Sequence, residues 1–292
     1  MNLGISLSGG GIKGAAHIGV LKALEEENIK CNYISGTSSG SIVATLYACG
    51  FTPDEIYGVF KEYSGKIKCF GWKSFIYYIM GLLFKGRFIP KGLNTGEVIE
   101  KLINKKCQEK GIENIKQIKM PLIIPSVDLY TGEVYIFTSQ KFRGSYIDSI
   151  KYVEDVSIGR AVRASCSYPG IFFPCPYQKT ELIDGGIREN VPWKETKKMG
   201  ANKVISVVFD KEIERKKNNN MIDVISDSID ILCHELSSYE LVGADYIIKL
   251  KTKDISLLDN SEIDNLYKQG YKQTKKQINK ISNYLKENNW IM

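Results

Sequence analysis

Gly36-Thr37-Ser38-Ser39-Gly40 places a serine between two glycines, where a strand-like run (Tyr33 to Ser35) meets a helix-like run (Ser41 to Ala48). A Gly-x-Ser-x-Gly turn from strand to helix is a nucleophile elbow. It is so sharp that the serine must take strained backbone angles, and the bare glycines Gly36 and Gly40 let strand and helix approach. Ser38 then sits at a helix N-terminus, where unpaired N–H groups and the helix dipole favour negative charge. The chemistry on offer is acyl transfer, which also needs a proton acceptor for the hydroxyl and donors for the oxyanion.

Donors come from a second glycine cluster. Gly9-Gly10-Gly11-Ile12-Lys13-Gly14 follows a strand (Leu3, Ile5, Leu7) and precedes a helix on which Ile18, Leu21 and Leu24 recur at helical spacing. The pattern also fits a dinucleotide-binding turn, but that reading wants an acidic residue at the tip of the second strand to hold a ribose. Ser35-Gly36-Thr37-Ser38 occupies that tip instead. Consecutive glycines at a strand-to-helix turn can also aim N–H groups at one oxyanion. On adjacent parallel strands the two turns would lie side by side, with Lys13 adding positive charge.

Two histidines are available as a base. Ser38, Asp184 and His234 follow the chain order of a Ser-Asp-His triad. Against this, His234 lies within a helical pattern (Ile225, Ile229, Leu232, Leu236), and the elbow comes after a single strand-helix unit. His17, one turn past the glycine loop, reads as a core residue close to the site. Neither histidine has a partner at metal-ligand spacing, so no metal is expected. Asp184-Gly185-Gly186 offers a carboxylate at a strand end, followed by residues without bulk. It reads either as a turn or as a base taking the Ser38 proton directly, if burial raises its pKa.

The three motifs in this order resemble the patatin-like phospholipases. A fourth block, Ala164-Ser165-Cys166-Ser167-Tyr168-Pro169-Gly170-Ile171-Phe172-Phe173-Pro174, is similar to that family's proline-centred segment beside the site, and the resemblance spans residues 3 to 210. It implies a Ser–Asp dyad without histidine: Ser38 as nucleophile, Asp184 as base, and Gly9, Gly10, Gly11, Ile12, Lys13 and Gly14 as the oxyanion loop. It also implies a lipid ester substrate (a phospholipid, lysophospholipid or neutral glycerolipid) and no cofactor. Lys13 stands where many members carry arginine. Asp128, before Leu129-Tyr130-Thr131-Gly132, also falls in a family-like segment and reads as structural. A non-catalytic lipid-binding protein on the same fold is the alternative.

Positioning these groups requires alternating strands and helices. Pro53-Asp54-Glu55 starts a helix, and Asn94-Thr95-Gly96-Glu97 caps one that runs to about Cys107. Pro121 to Asp128 and Glu133 to Thr138 form a hairpin. Ile158 to Ser165 is a helix stopped before Pro169. Glu181 to Ile183 is a short strand into Asp184, and Lys203 to Phe209 is a further strand. Met221 to Leu241 is helical, Tyr246 to Leu250 is a strand, and Ser261 to Asn288 is one long helix with a stripe of Ile263, Leu266, Ile278, Ile281 and Leu285. The pattern predicts an α/β fold: three layers, α/β/α, around a mostly parallel sheet. Residues 1–210 read as the catalytic domain and 211–292 as an extension packed on it, with the charged, Asn-rich run Lys211 to Asn220 as a mobile surface loop.

Composition fits this picture. The chain has 292 residues, 43% hydrophobic and 25% charged, enough for a full core. Its seven scattered cysteines, with no C-x-x-C, indicate a reducing compartment and no disulfide framework. The first residues lack a basic region and a long apolar stretch, so they read as a strand rather than a signal peptide. The net charge of +7 suits weak attraction to anionic surfaces, and no nucleic-acid motif accompanies it. Trp72 to Phe84 is the most apolar stretch, flanked by Lys66, Lys68, Lys85 and Arg87. At about 20 Å as a helix it is too short to span a bilayer. Residues 70–88 read equally as a peripheral membrane contact, a lid over an acyl groove, or a core helix. The expected location is cytoplasmic, with room for peripheral membrane association.

Overall fold

Leu3, Ile5 and Leu7 of the first strand, β1 (Leu3–Leu7), bury one face, while Gly4 on the other lies against Thr196 and Val204. That alternation is what a sheet covered on both sides requires. The computed structural model describes residues 2–66, 91–142, 149–211, 221–252 and 260–287. The apolar stretch 72–84 and the polar run 212–220 lie outside the described residues.

β1 is flanked in parallel by β2 (Tyr33–Gly36) and β10 (Lys203–Lys211), and β11 (Tyr246–Thr252) continues the parallel sheet beyond β10. On the other side β4 (Leu122–Asp128) runs parallel to β2. The hairpin partner β5 (Val134–Thr138) runs antiparallel to β4, and β6 (Ile150–Val153) closes the edge. Ile205 and Val207 of β10 join the main core with α1 (Gly14–Glu26) and α2 (Ser39–Ala48). Val204 and Val208 point the opposite way, into a second cluster with Val191 and Trp193 at the start of α6 (Trp193–Lys198). The three-layer α/β/α expectation holds.

Several short pairings escape the sequence patterns. β3 (Gly92–Asn94) pairs with β7 (Gly170–Phe172), and β8 (Cys175–Tyr177) pairs with β9 (Thr180–Asp184). The helix expected after Asn94 is α4 (Glu97–Glu109), entered through Gly96 at φ 72°, whose N–H donates to Asn94 Oδ1 at 2.9 Å. The cap is therefore a left-handed glycine held by Asn94, and the Glu97 N–H of the first turn donates to Thr95 Oγ1 at 3.5 Å. Around these lie α3 (Pro53–Lys66) and α5 (Ile158–Ser165).

β2 and β9 share one edge of β4. β2 pairs in parallel at Ile34↔Leu122 and Ser35↔Ile123, and β9 pairs antiparallel at Ser126↔Asp184 and Asp128↔Leu182. Running toward each other along the same edge, they stop face to face. The elbow after β2 and the aspartate ending β9 thus meet across a few residues of β4.

The C-terminal segment is continuous with this core. β11 lengthens the sheet, and α8 (Ile263–Glu287) buries its Ile263, Leu266, Ile278, Ile281 and Leu285. It crosses α1 at two glycines. A Cβ on Gly270 would lie 2.0 Å from the Ala16 carbonyl oxygen, and one on Gly19 would lie 2.2 Å from that of Tyr267. These contacts pack α8 directly on α1. Backbone opposes backbone here, so no side chain can yield. Gly270→Ala should cost about 2 kcal/mol and lower Tm by roughly 4–8 °C. A chain ending at residue 210 should lack a cooperative melt. Wild-type melting in both would contradict this packing.

Candidate active site

Ser38 has φ 51° and ψ −124°, a conformation that L residues rarely adopt. Its surroundings enforce it. The Gly40 N–H donates to the Thr37 carbonyl at 2.8 Å, and the Ser41 N–H and hydroxyl donate to the Ser38 carbonyl at 2.8 and 2.6 Å. The Ser38 N–H donates to Ser165 Oγ at 3.0 Å, tying the elbow to the end of α5. Any Cβ on Gly36 would strike the Gly40 carbonyl at 2.3 Å, and one on Gly40 would strike that of Leu7 at 2.5 Å. The spacing of the motif follows from these two approaches.

Asp184 is 2% exposed. Its Oδ1 accepts the Gly186 N–H at 2.8 Å, which fixes the rotamer, while Oδ2 is buried without a hydrogen bond. The Ser38 hydroxyl lies near enough to stabilise the carboxylate, without the geometry of a closed hydrogen bond. Burial pushes the Asp184 pKa up to about 7 and the negative charge of Asp230 adds to the rise, while the Ser38 hydroxyl and the Gly186 amide offset part of it. Gly185 is fixed by a similar crowding, since a Cβ there would lie 2.4 Å from the Pro125 carbonyl oxygen.

The glycine loop lies across from the elbow, and a Cβ on Gly9 would approach Ser38 Cβ to 3.2 Å. Its six amides are not equivalent. The Gly9 N–H donates to Asn190 Oδ1 at 2.9 Å, that of Lys13 to the Gly10 carbonyl at 3.2 Å, and that of Gly14 to the carbonyls of Gly11 and Ile12. Among the described residues, the N–H groups of Gly10, Gly11 and Ile12 carry no hydrogen bond, and all three residues line the cavity that contains Ser38.

Sequence patterns did not single out Asn190. Besides holding Gly9, it donates from Nδ2 to Ser237 Oγ at 2.8 Å, and its own N–H donates to Glu240 at 3.0 Å. It thus joins the loop to α7 (Met221–Glu240). Its position six residues after Asp184 is the only sequence cue. Asp128 is an anchor of the β4–β5 turn, with Oδ1 accepting the N–H groups of Tyr130 and Thr131, as its structural reading expects.

The cavity holds about 460 Å³. Ile12, Ile42, Phe60, Ile171 and Phe172 supply apolar wall, and Asp230, Cys233 and Ser237 of α7 supply a more polar one. His234 is an exposed residue of α7 on the cavity rim, and among the described residues it hydrogen-bonds to neither Ser38 nor Asp184. Likewise, among the described residues, no cluster of three His, Cys, Asp or Glu could hold a metal ion, and no helix is long and apolar enough to cross a membrane.

Known proteins are similar to this chain. The sequence profile described as patatin-like phospholipase matches residues 5–197. The protein YqhO of Bacillus subtilis, which has no described activity in its name, is 31% identical over 219 residues, 73% of each chain. Lysophospholipase NTE1 of Debaryomyces hansenii is 30% identical over 213 residues, 70% of this chain but 12% of the fungal protein. The structure of VipD from Legionella pneumophila shares the fold, with a TM-score of 0.53 at 13% identity, over 96% of this chain and 67% of VipD.

His17 is fully buried, its ring tilted 35° to that of Phe209 at 4.6 Å, with Nε2 2.9 Å from the Ser8 carbonyl oxygen. A carbonyl only accepts, so Nε2 carries the proton. Burial lowers its pKa to about 4, and the Ser8 contact resists that only partly. It supports the strand end before Gly9 as a neutral side chain. Heteronuclear NMR should find His17 as the Nε2–H tautomer, without titration between pH 5.5 and 8. A midpoint near 6.5 would contradict this placement.

Proposed function

The chain belongs to the patatin-like phospholipases, and on that footing we propose that it hydrolyses lipid esters with Ser38 as nucleophile and Asp184 as the only general base. The observation that carries the reading is the Asp184 carboxylate. It is buried, held through one oxygen by Gly186, left without a partner on the other, and set beside a serine in strained elbow geometry.

In this scheme the acyl chain lies along Ile12, Ile42, Phe60 and Phe172, and the ester carbonyl points into the glycine loop. Ser38 Oγ attacks the carbonyl carbon while its proton passes to Asp184. The tetrahedral oxyanion is met by the unengaged N–H groups of Gly10 and Gly11. Each such donor is worth about 3–4 kcal/mol of transition-state stabilisation. Collapse breaks the ester C–O bond, and Asp184 returns the proton to the departing alcohol. Water then attacks the acyl-serine, gives its proton to Asp184, and releases the fatty acid as Ser38 recovers its own. A carboxylate of ordinary pKa would be a poor acceptor, and a value near 7 brings it close to the operating range. Asn190 serves by holding Gly9, so that the next two amides face the oxyanion. The apolar walls favour long-chain lipid esters, lysophospholipids among them.

Mutation tests each role. Ser38→Ala and Asp184→Asn should each lower turnover of a lipid ester by about a thousandfold or more. Asn190→Ala should lower kcat by roughly ten- to a hundredfold with KM little changed, because a loop displaced by about 1 Å costs on that scale. Asp184 also carries a stability signature. Its pKa is raised from the ordinary 3.8 to about 7 in the folded state, so stability falls as the pH rises from about 4 to about 7, and above that the buried carboxylate carries the full cost. At pH 8, Asp184→Asn should therefore raise Tm by a few degrees while abolishing turnover. Retained turnover in Asp184→Asn would remove the proposed base.

A further inference from the structure

Helix α7 shows two faces to two different environments. Val224, Ile225, Ile231, Leu232 and Tyr239, with Val242 just past its end, remain 43% to 71% exposed. At about 100° per residue the five helical positions fall within roughly 120° of arc, so they form one stripe, with Val242 in the turn beyond the helix. Ser228 and Glu235 interrupt it. The opposite face is the cavity wall. There Asp230 meets the Tyr168 hydroxyl at 2.9 Å, Cys233 donates to the Gly186 carbonyl, and Ser237 meets Asn190. Apart from this stripe, the large apolar side chains most exposed among the described residues are Leu129 and Tyr130. Exposed apolar surface in a soluble protein is scattered unless something covers it.

We propose that this stripe is an interfacial docking surface, and that its occupant is the zwitterionic face of a lipid bilayer or micelle. The inference rests on reading the cavity as a lipid ester site. Continuity is the first argument: the helix that walls the cavity also carries the stripe, and Val242 both lines the cavity and ends the stripe. A helix lying in the interface with its apolar face down would set the cavity mouth beside the lipid that must enter it. Charge is the second. Between Met221 and Glu240 there is no lysine or arginine, whereas Asp223, Asp227, Asp230, Glu235 and Glu240 are present. Asp230 and Glu240 turn inward to Tyr168 and to the Asn190 and Val191 amides, and Glu235 lies within the stripe itself. An anionic surface would be repelled. A second copy docked through the same helix would set like charges against each other. A zwitterionic surface incurs neither penalty, and docking to it should depend little on salt.

Catalysis and docking can be measured separately. Ser38→Ala protein, which cannot turn over lipid, would be co-sedimented with phosphatidylcholine vesicles. The same background carrying Ile231→Ser and Leu232→Ser, and separately Tyr239→Ser, would be compared. With Ser38 intact, the same surface variants would be assayed on a short-chain soluble ester. The expected result is vesicle binding reduced at least tenfold in the double variant and less in Tyr239→Ser. The soluble-ester kcat/KM should stay within twofold of wild type, and binding should be insensitive to 0.5 M salt. Unchanged vesicle binding would overturn the proposal. So would a wild-type dimer that the double variant dissociates, which would make a second copy the occupant. A joint loss of soluble-ester activity and Tm in both variants would overturn it too, by assigning the stripe to packing. Intact docking with no hydrolysis of any ester by wild type would leave the surface standing and remove the enzyme reading instead.

Discussion

β4 carries two strands on one edge, β2 parallel and β9 antiparallel, and the structure of the site depends on where they stop. Because they run toward each other, their ends must meet, and what meets is a glycine-bounded serine and an aspartate. No loop needs to reach across the site to bring the two together. The backbone registers Ser35↔Ile123 and Ser126↔Asp184 fix the separation along a rigid strand. That rigidity suits a direct proton transfer, in which no intervening imidazole can absorb a misplacement. It also buries the carboxylate, which is why its pKa rises.

The glycines around this junction record how closely its backbones pass. Gly36, Gly40 and Gly185 each face a carbonyl oxygen at a distance that leaves no room for a methyl group. Substitution at any of them would have to move a strand rather than a side chain. The glycine loop is held differently, by a side chain. Asn190 anchors Gly9 and reaches Ser237 on α7, and Glu240 accepts the N–H groups of both Asn190 and Val191. Loop geometry is therefore coupled to the helix that walls the cavity. Movement of α7 against a lipid surface would be felt at Gly9 through two hydrogen bonds.

The long periodic elements could be read from the residues alone: β1, α1, α5, β10, α7 and α8 lie within a few residues of the expected ranges. So could the elbow, the Asp-Gly-Gly turn and the glycine loop, because each is forced by local backbone geometry that only certain residues satisfy. What escaped was non-local. Nothing in Thr180 to Asp184 says that this strand runs antiparallel against β4, since pairing direction is set by its partner. The β3, β7 and β8 strands are three residues each, too short for a period to emerge. Asn190 could not be singled out, because an asparagine shortly after two glycines looks like any turn residue until its partners on Gly9 and Ser237 are in place. The six glycine-loop residues are indistinguishable in sequence, and only the hydrogen bonds separate the engaged amides of Gly9, Lys13 and Gly14 from those of Gly10, Gly11 and Ile12.

The central claim is that a lone carboxylate near pKa 7 deprotonates Ser38. Its most direct test is the pH dependence of the rate at which a serine-directed fluorophosphonate labels the protein, with the modified residue located by mass spectrometry, in wild-type and His234→Ala chains. The account predicts labelling at Ser38 whose rate rises with pH through an apparent pKa of about 7, since a protonated Asp184 cannot accept the proton. It also predicts the same profile in both chains. Labelling elsewhere, or a profile whose acidic limb disappears with His234, would contradict it.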